Sequence, residues 1–249
     1  MVTFDLRGRR ALVTGSTQGI GYAIASCFAE HGAEVYVHCS RDTAKAERIA
    51  DELHEKTGAT VHGIAADLGD ADAAEKLYTM TGEVDILVCN ASVQFRRAWD
   101  EIPLSEYETQ MNVNLRSTLA LMQIYIPGMQ KRGWGRVLNI GSVQQAKPHT
   151  HMAVYAASKC AIASLTENIA KQTAADGVTV NMLLPGVIAT PRNDAALSDP
   201  VYREQVLVKI PAGYAGEAED CAAAALLLCS GEGRYITGSS LYVDGGMHL

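Results

Sequence analysis

The sequence predicts an α/β fold: a doubly wound parallel β-sheet of about seven strands with helices on both faces. Three observations carry that expectation. Strand-like and helix-like segments alternate along the chain, the pattern of repeated βαβ units. Several strand segments are near-continuous apolar runs, as in Val84 to Asn90 and Val178 to Leu184, the mark of strands buried on both faces. The first unit carries a glycine-rich turn between its strand and its helix. No linker, repeat or low-complexity stretch intervenes, so residues 1–249 read as one domain.

Arg10 to Thr14 is the first strand, followed by Gly15-Ser16-Thr17-Gln18-Gly19-Ile20-Gly21. Tyr22 to His31 is an alanine-rich helix that Gly32 closes. Glu34 to Cys39 is the second strand, Thr43 to Lys56 an amphipathic helix ending near Gly58, and Ala59 to Ala65 the third strand. Asp70 to Thr81 is a helix capped by Gly82, and Val84 to Asn90 is the fourth strand. One helix is expected from Ser105 toward Met129, with the helix-breaking Pro127-Gly128 close to its end. Gly135 to Ser142 is the fifth strand, His151 to Ala175 a long helix, and Val178 to Leu184 the sixth strand, stopped by Pro185-Gly186. The polar stretch 187–215 is too long for a plain connection and is expected to be an irregular lid over a site. Ala218 to Cys229 is a helix and Ser240 to Val243 a last short strand.

Hydrophobic content of 48% and charged content of 20% suit a soluble globular protein. A net charge of −7 without a basic tail or arm speaks against a nucleic-acid binder. Met1 to Arg10 lacks the apolar run and cleavage site of a signal peptide, and no apolar run nears the roughly 20 residues of a membrane span. The six cysteines form no Cys-x-x-Cys pair and have no histidine at zinc spacing, so no metal site is expected. They sit in apolar periodic segments and read as small core residues of a cytoplasmic protein.

The glycine turn has a specific physical use. Glycines let a backbone approach a pyrophosphate, and the helix start offers unpaired N–H groups and a positive dipole end. In an open α/β sheet the ligand lies beyond the carboxyl ends of the strands. Asn90, Ser142 and Pro185-Gly186 end strands four, five and six, so they share the crevice of the glycine turn. Tyr155 and Lys159, four apart on a helix, stack on one face. A phenol beside an ammonium is drawn toward a working acid-base range.

Taken together, Thr14-Gly15-x-x-x-Gly19-x-Gly21, Asp67, Asn90-Ala91, Asn114, Ser142, Tyr155-x-x-x-Lys159, Pro185-Gly186 and Thr190 resemble the motifs of the short-chain dehydrogenase/reductase family. The resemblance covers nearly the whole chain. It implies a Rossmann-type fold and hydride transfer between a nicotinamide coenzyme and an alcohol or carbonyl carbon. It implies that Tyr155 moves the hydroxyl proton and that Lys159 lowers the tyrosine pKa and holds the nicotinamide ribose. Ser142 then donates to the substrate oxygen, and Asn114 holds a water linking Lys159 to solvent. The coenzyme residues so implied are Gly15, Ser16, Thr17, Gln18, Gly19, Ile20, Gly21, Asp67, Leu68, Asn90, Ala91, Pro185, Gly186, Ile188 and Thr190, with Tyr155 and Lys159. Thr190 would anchor the carboxamide. Two departures stand out: Cys89-Asn90-Ala91-Ser92 replaces the family's frequent Asn-Asn-Ala-Gly, and Gly141-Ser142 its frequent Ser-Ser. The resemblance also implies a homotetramer packed through the long helix; the alanines from Ala153 to Ala163 permit close helix packing but could equally pack on the sheet.

The second strand ends in His38-Cys39-Ser40-Arg41, with no acid for a ribose 2′-hydroxyl until Asp42. Ser40 and Arg41 could grip a 2′-phosphate instead, so NADP(H) is expected over NAD(H). Ser92, Gln94, Gln144, Gln145, His149, Arg192 and Asn193, with Ser142 and Tyr155, are the candidates to line a substrate site. That polar lining suits a sugar, polyol or sugar acid. The alternative is a 3-oxoacyl thioester on an acidic acyl carrier protein, met by Arg96-Arg97 and Lys131-Arg132. A third class, a non-catalytic dinucleotide-binding regulator, is disfavoured by the intact Asn114, Ser142, Tyr155 and Lys159.

Overall fold

A computed structural model describes residues 4–249, without the side chains of 195 and 196. Met1 to Thr3, part of the stretch read above as no leader, lie outside the described residues. The elements run β1 (Arg10–Val13), α1 (Gly19–Glu30), β2 (Glu34–Cys39), α2 (Thr43–Thr57), β3 (Val61–Ala65), α3 (Ala73–Thr81) and β4 (Ile86–Cys89). Then follow α4 (Leu104–Gln110), α5 (Ser117–Arg132), β5 (Gly135–Ile140), α6 (Ala153–Thr173), β6 (Val178–Pro185), α7 (Asp194–Ser198), α8 (Pro200–Leu207), α9 (Ala218–Cys229) and β7 (Ser240–Val243).

All seven strands pair in parallel, in the order β3-β2-β1-β4-β5-β6-β7. The winding reverses between β1 and β4, the switch point where a crevice opens at the carboxyl edge. The apolar runs are explained by burial: every residue of β4, β5 and β6 is buried. One core layer joins α1 and α9 to the sheet through Ile24, Phe28, Val35, Ala225 and Leu228. The other packs α3 and α5 on the opposite face through Leu77, Leu121, Tyr125 and Met129. Among the described residues no helix is long and apolar enough to cross a membrane.

Four local expectations are corrected. The helix expected from Ser105 to Met129 is three pieces: α4, a π-helical turn over Met111–Arg116, and α5. Pro127 lies inside α5, which runs on to Arg132 and ends at Gly133 in the left-handed conformation. The first helix begins at Gly19 rather than Tyr22, so two glycines of the turn belong to its first turn. The stretch 187–215 is not irregular throughout: it holds α7 and α8, the latter started by the Asp199 side chain accepting from Val201 and Tyr202 N–H. Finally, not every cysteine is a core residue: Cys89, Cys221 and Cys229 are buried, but Cys160 is exposed and Cys27 and Cys39 are half-buried.

Candidate active site

The crevice at the switch point is a cavity of about 1060 Å³ bounded by the ends of β1, β2, β4, β5 and β6 and by α8. Its floor is the glycine turn. A Cβ on Gly15, whose φ is +65°, would stand 2.9 Å from Ala91 Cα; one on Gly21 would stand 2.5 Å from both Asn90 Nδ2 and Gly15 O. Asn90 fills that space, donating from Nδ2 to Thr14 O (2.8 Å) and Gly15 O (3.0 Å). Thr14 Oγ1 accepts from Asn90 N (3.0 Å) and Ala91 N (3.1 Å). These bonds tie β1 to β4 where the turn leaves the sheet.

The start of α1 has no side-chain cap and no acidic residue in its first turn. Its positive end is therefore left for an anion from outside the helix. A Cβ on Gly19 would come 3.3 Å from Thr190 Cγ2, across the crevice. The slot between the two is a cradle that any side chain at Gly19 would begin to fill. This floor fits the pyrophosphate of a nicotinamide dinucleotide.

The back of the turn rests on a buried imidazole. Gly15 N donates to His38 Nδ1 (3.1 Å), and His38 Nε2 donates to Ala66 O (2.9 Å). An acceptor at one nitrogen and a donor at the other require the neutral ring. Burial enforces the same state, pushing the His38 pKa down to about 4.

The catalytic candidates meet in mid-cavity. Tyr155 is 6% exposed and Lys159 2%. Lys159 Nζ donates to Ile140 O (2.7 Å) and sits 5.6 Å from the Tyr155 ring centroid. Ser142 starts a short 3₁₀ turn, its Oγ accepting from Gln144 N (3.2 Å) while Gln145 Oε1 accepts from Ser142 N (3.0 Å). Burial raises the Tyr155 pKa; the charge of Arg192 and hydrogen bonding from Ser142, Ser92 and Arg192 oppose it. Burial brings the Lys159 pKa down to about 7, with Arg192 acting in the same direction. Arg192 reaches over from the 187–215 segment, donating to Ser92 Oγ (3.0 Å) and Ser92 O (2.8 Å).

A family model described as Enoyl-(Acyl carrier protein) reductase matches residues 15–248. The chain is 35% identical to 3beta-hydroxysteroid dehydrogenase 1 of Eggerthella lenta, over 98% of this chain and 95% of that protein. The chain belongs to the short-chain dehydrogenase/reductase family. It superposes with TM-score 0.92 and 37% identity on a 3-oxoacyl (acyl-carrier-protein) reductase of Agrobacterium tumefaciens with NADP bound, covering 98% of this chain and 95% of that one. It superposes with TM-score 0.91 and 32% identity on a gluconate 5-dehydrogenase of Burkholderia cenocepacia in complex with NADP and tartrate, covering 98% and 96%. It is an NAD(P)-dependent oxidoreductase of that family.

Most of the expected site residues of this short-chain dehydrogenase line the one cavity. They are Gly15, Thr17, Gln18, Gly19, Ile20, Gly21, Ser40, Arg41, Asp67, Leu68, Asn90, Ala91, Ser92, Gln94, Ser142, Gln144, His149, Tyr155, Lys159, Pro185, Gly186, Ile188, Thr190, Arg192 and Asn193. Three do not. Ser16 faces the sheet: its Oγ donates to Val13 O and accepts from His38 N, and its own N–H donates to His38 O. Asn114 lies behind the wall, in the π-helical turn, and its side chain bonds to Val93 N, Val93 O and Ser158 Oγ. Gln145 points back to cap Ser142 and does not reach the cavity. Besides Lys159, whose Nζ lies 5.6 Å from its ring centroid, the Tyr155 phenol meets the charge of Arg192, which opposes the effect of burial.

Sequence reasoning missed Tyr202, Gln205, Val206 and Lys209, which line the cavity along α8 and the turn after it. Their spacing of i, i+3, i+4, i+7 is one helix face, and Asp199-Pro200 ahead of it is a helix start. His38 was read only as a strand end, with nothing in its neighbours to show that its ring supports the turn.

Proposed function

We propose that this enzyme interconverts a secondary alcohol and a ketone on a small, hydroxyl-rich or acidic substrate such as a sugar, polyol or sugar acid, using NADP(H) in preference to NAD(H). The observation that supports it most is the convergence of Ser142, Tyr155 and Lys159 in a cavity whose floor fits a dinucleotide. When bound, the nicotinamide gives or takes the hydride. Tyr155 takes the substrate hydroxyl proton in oxidation and returns it in reduction. Ser142 Oγ steadies the substrate oxygen as charge develops on it. Lys159 keeps a cation beside the buried phenol below pH about 7. Asn114 acts by position, pinning the Val93 backbone behind the substrate wall.

The coenzyme preference rests on Ser40 and Arg41 at the end of β2 and on the lack of an acid there before Asp42. The polar lining of Ser92, Gln94, Gln144 and His149 supports a polar substrate. Reduction of a 3-oxoacyl thioester is the second reading, favoured by the Agrobacterium relative. Its basic docking pairs are half engaged: Arg97 is paired with Glu106, and Arg132 with Glu83 and Asp85. A homotetramer through α6 remains part of the proposal. The test is a substrate panel of sugars, polyols and sugar acids against acetoacetyl thioesters, with both coenzymes. Turnover of the thioesters alone would overturn the first reading.

A further inference from the structure

The chain carries a net charge of −7, yet the end of the cavity away from the glycine turn has the opposite character. The only acids lining the cavity among the described residues, Asp42 and Asp67, stand at the β2 end, beside Ser40 and Arg41. The other end is lined by Arg96, His149, Arg192 and Lys209. They arrive from three separate segments: the loop after β4, the loop after β5, and the 187–215 stretch, where Arg192 precedes α7 and Lys209 follows α8.

Two of these cations are unmatched. Among the described residues, the charged groups of Arg96 and Lys209 make no hydrogen bond and no ion pair. Arg97, next to Arg96, shows the contrast, since Glu106 takes its guanidinium at 2.7 Å. Arg192 is already engaged at Ser92, next to the phenol. Burial holds the basicity of His149 down, and the charges of Arg96, His151 and Lys209 act in the same direction. His149 Nδ1 accepts the His151 N–H (3.1 Å), which leaves the ring proton on Nε2 as a donor. Two exposed cations and an N–H donor that line one cavity end without a carboxylate make a setting that favours an anion.

We propose that Arg96, His149 and Lys209 form an anion subsite that holds the carboxylate of a hydroxy-acid or oxo-acid substrate while its reacting carbon lies at Tyr155. The inference rests on the hydride-transfer reading for the placement of that carbon, but the subsite itself can be read by binding alone. An aldonic or other polyhydroxy acid fits; a neutral polyol leaves both cations unmatched. A phosphate monoester offers the same anionic chemistry and is an arm of the test.

The binding arm uses calorimetry on the NADP-loaded enzyme with tartrate, with threitol (the same carbon chain without carboxylates) and with inorganic phosphate. The wild type binds tartrate about tenfold or more tighter than threitol, and the Arg96→Ala/Lys209→Ala double variant loses that difference. The kinetic arm compares gluconate, glucitol and 6-phosphogluconate. The double variant raises KM for the acid by about tenfold or more with kcat within about threefold, and leaves KM for glucitol in place. Arg96→Lys with Lys209→Arg restores most of the acid preference. Equal loss for acid and polyol would overturn the subsite, as would equal binding of tartrate and threitol by the wild type. Preference for inorganic phosphate and the phosphorylated acid would overturn the carboxylate assignment. Tartrate selectivity that depends on Arg96 and Lys209 without turnover of any compound supports the subsite and counts against the hydride-transfer reading instead.

Discussion

The two ends of the cavity are built in opposite ways. At the glycine turn the groups that frame the turn already have protein partners, Thr14 with Asn90, Gly15 with His38 and Ser16 with β2, and the uncapped N–H groups at the start of α1 are left for the ligand. At the far end the exposed Arg96 and Lys209 have none among the described residues, and the half-buried Tyr202 and exposed Gln205 of α8 line the same cavity. A self-satisfied wall holds one shape before any ligand arrives, so it can cradle the part of the ligand that all members of such a family share. A wall with unmatched charge is completed by its ligand and can differ from one enzyme to the next. Tyr155 sits where the two meet, and substitutions on each side should fail in different ways.

The largest effect is expected at the junction. Tyr155→Phe keeps the ring and its packing but removes the acid-base group. It should lower kcat by about 10³-fold with both coenzymes, within the range for a lost general acid-base group. Coenzyme binding, followed by fluorescence titration, should stay within about threefold. Near-normal turnover would remove Tyr155 from the proposed chemistry.

On the self-satisfied side, Gly21→Ala should be next. The new methyl would meet Asn90 Nδ2 and Gly15 O at 2.5 Å, so backbone must move. Overpacking of this kind costs about 1–3 kcal/mol of stability. Coenzyme affinity should fall about a hundredfold, because the turn and Asn90 shift together. A variant with an unchanged coenzyme Kd would show that the turn is more pliant than its bonding indicates.

How much of this contrast was legible from residues alone depends on how far each partner lies along the chain. The sheet was legible because burial on both faces leaves long apolar runs, as in Val178 to Leu184. The glycine turn was legible because its residues are contiguous. Ser16 was not: a serine in such a turn reads alike whether it faces a ligand or the sheet, and the deciding partner is His38, on the next strand. The π-helical turn at Asn114 has no sequence signature, since tertiary contacts such as Asn114 with Val93 hold it. The α8 face was present in the spacing of Tyr202, Gln205, Val206 and Lys209 but was masked by a polar composition that reads as loop.

His38 offers a pH test of the self-satisfied wall. Folded, it stays neutral down to about pH 4; unfolded, it takes a proton near 6.5. The unfolded state therefore binds more protons between those values, so stability falls as pH drops through that window and levels off below it. The full difference is about 3 kcal/mol. His38→Asn should flatten that limb in denaturant titrations at pH 7 and 4.5, and should weaken coenzyme binding about tenfold at pH 7 while kcat stays within about threefold. A limb that survives the substitution would assign the acid sensitivity to other groups.

The smallest effect is expected at Arg41, and its size follows from what the residue already touches. Its side chain is 84% exposed and pairs with Asp67, Nη2 to Oδ2 at 2.6 Å and Nε to Oδ2 at 2.8 Å. An exposed pair of this kind contributes about 0–1 kcal/mol, so Arg41 can turn to a 2′-phosphate at little cost. Asp67 does not depend on it, because the Gly69 N–H is the leading influence that holds its carboxyl acidic. Removing the guanidinium therefore removes only a screened contact to the phosphate. Arg41→Ala should raise KM for NADP(H) by about tenfold and leave KM for NAD(H) within about twofold, with kcat unchanged for both. Salt should narrow the gap between the coenzymes in the wild type and have no such effect in the variant. Equal changes for the two coenzymes would mean that Arg41 only braces Asp67, and the preference for NADP(H) would lose its main support.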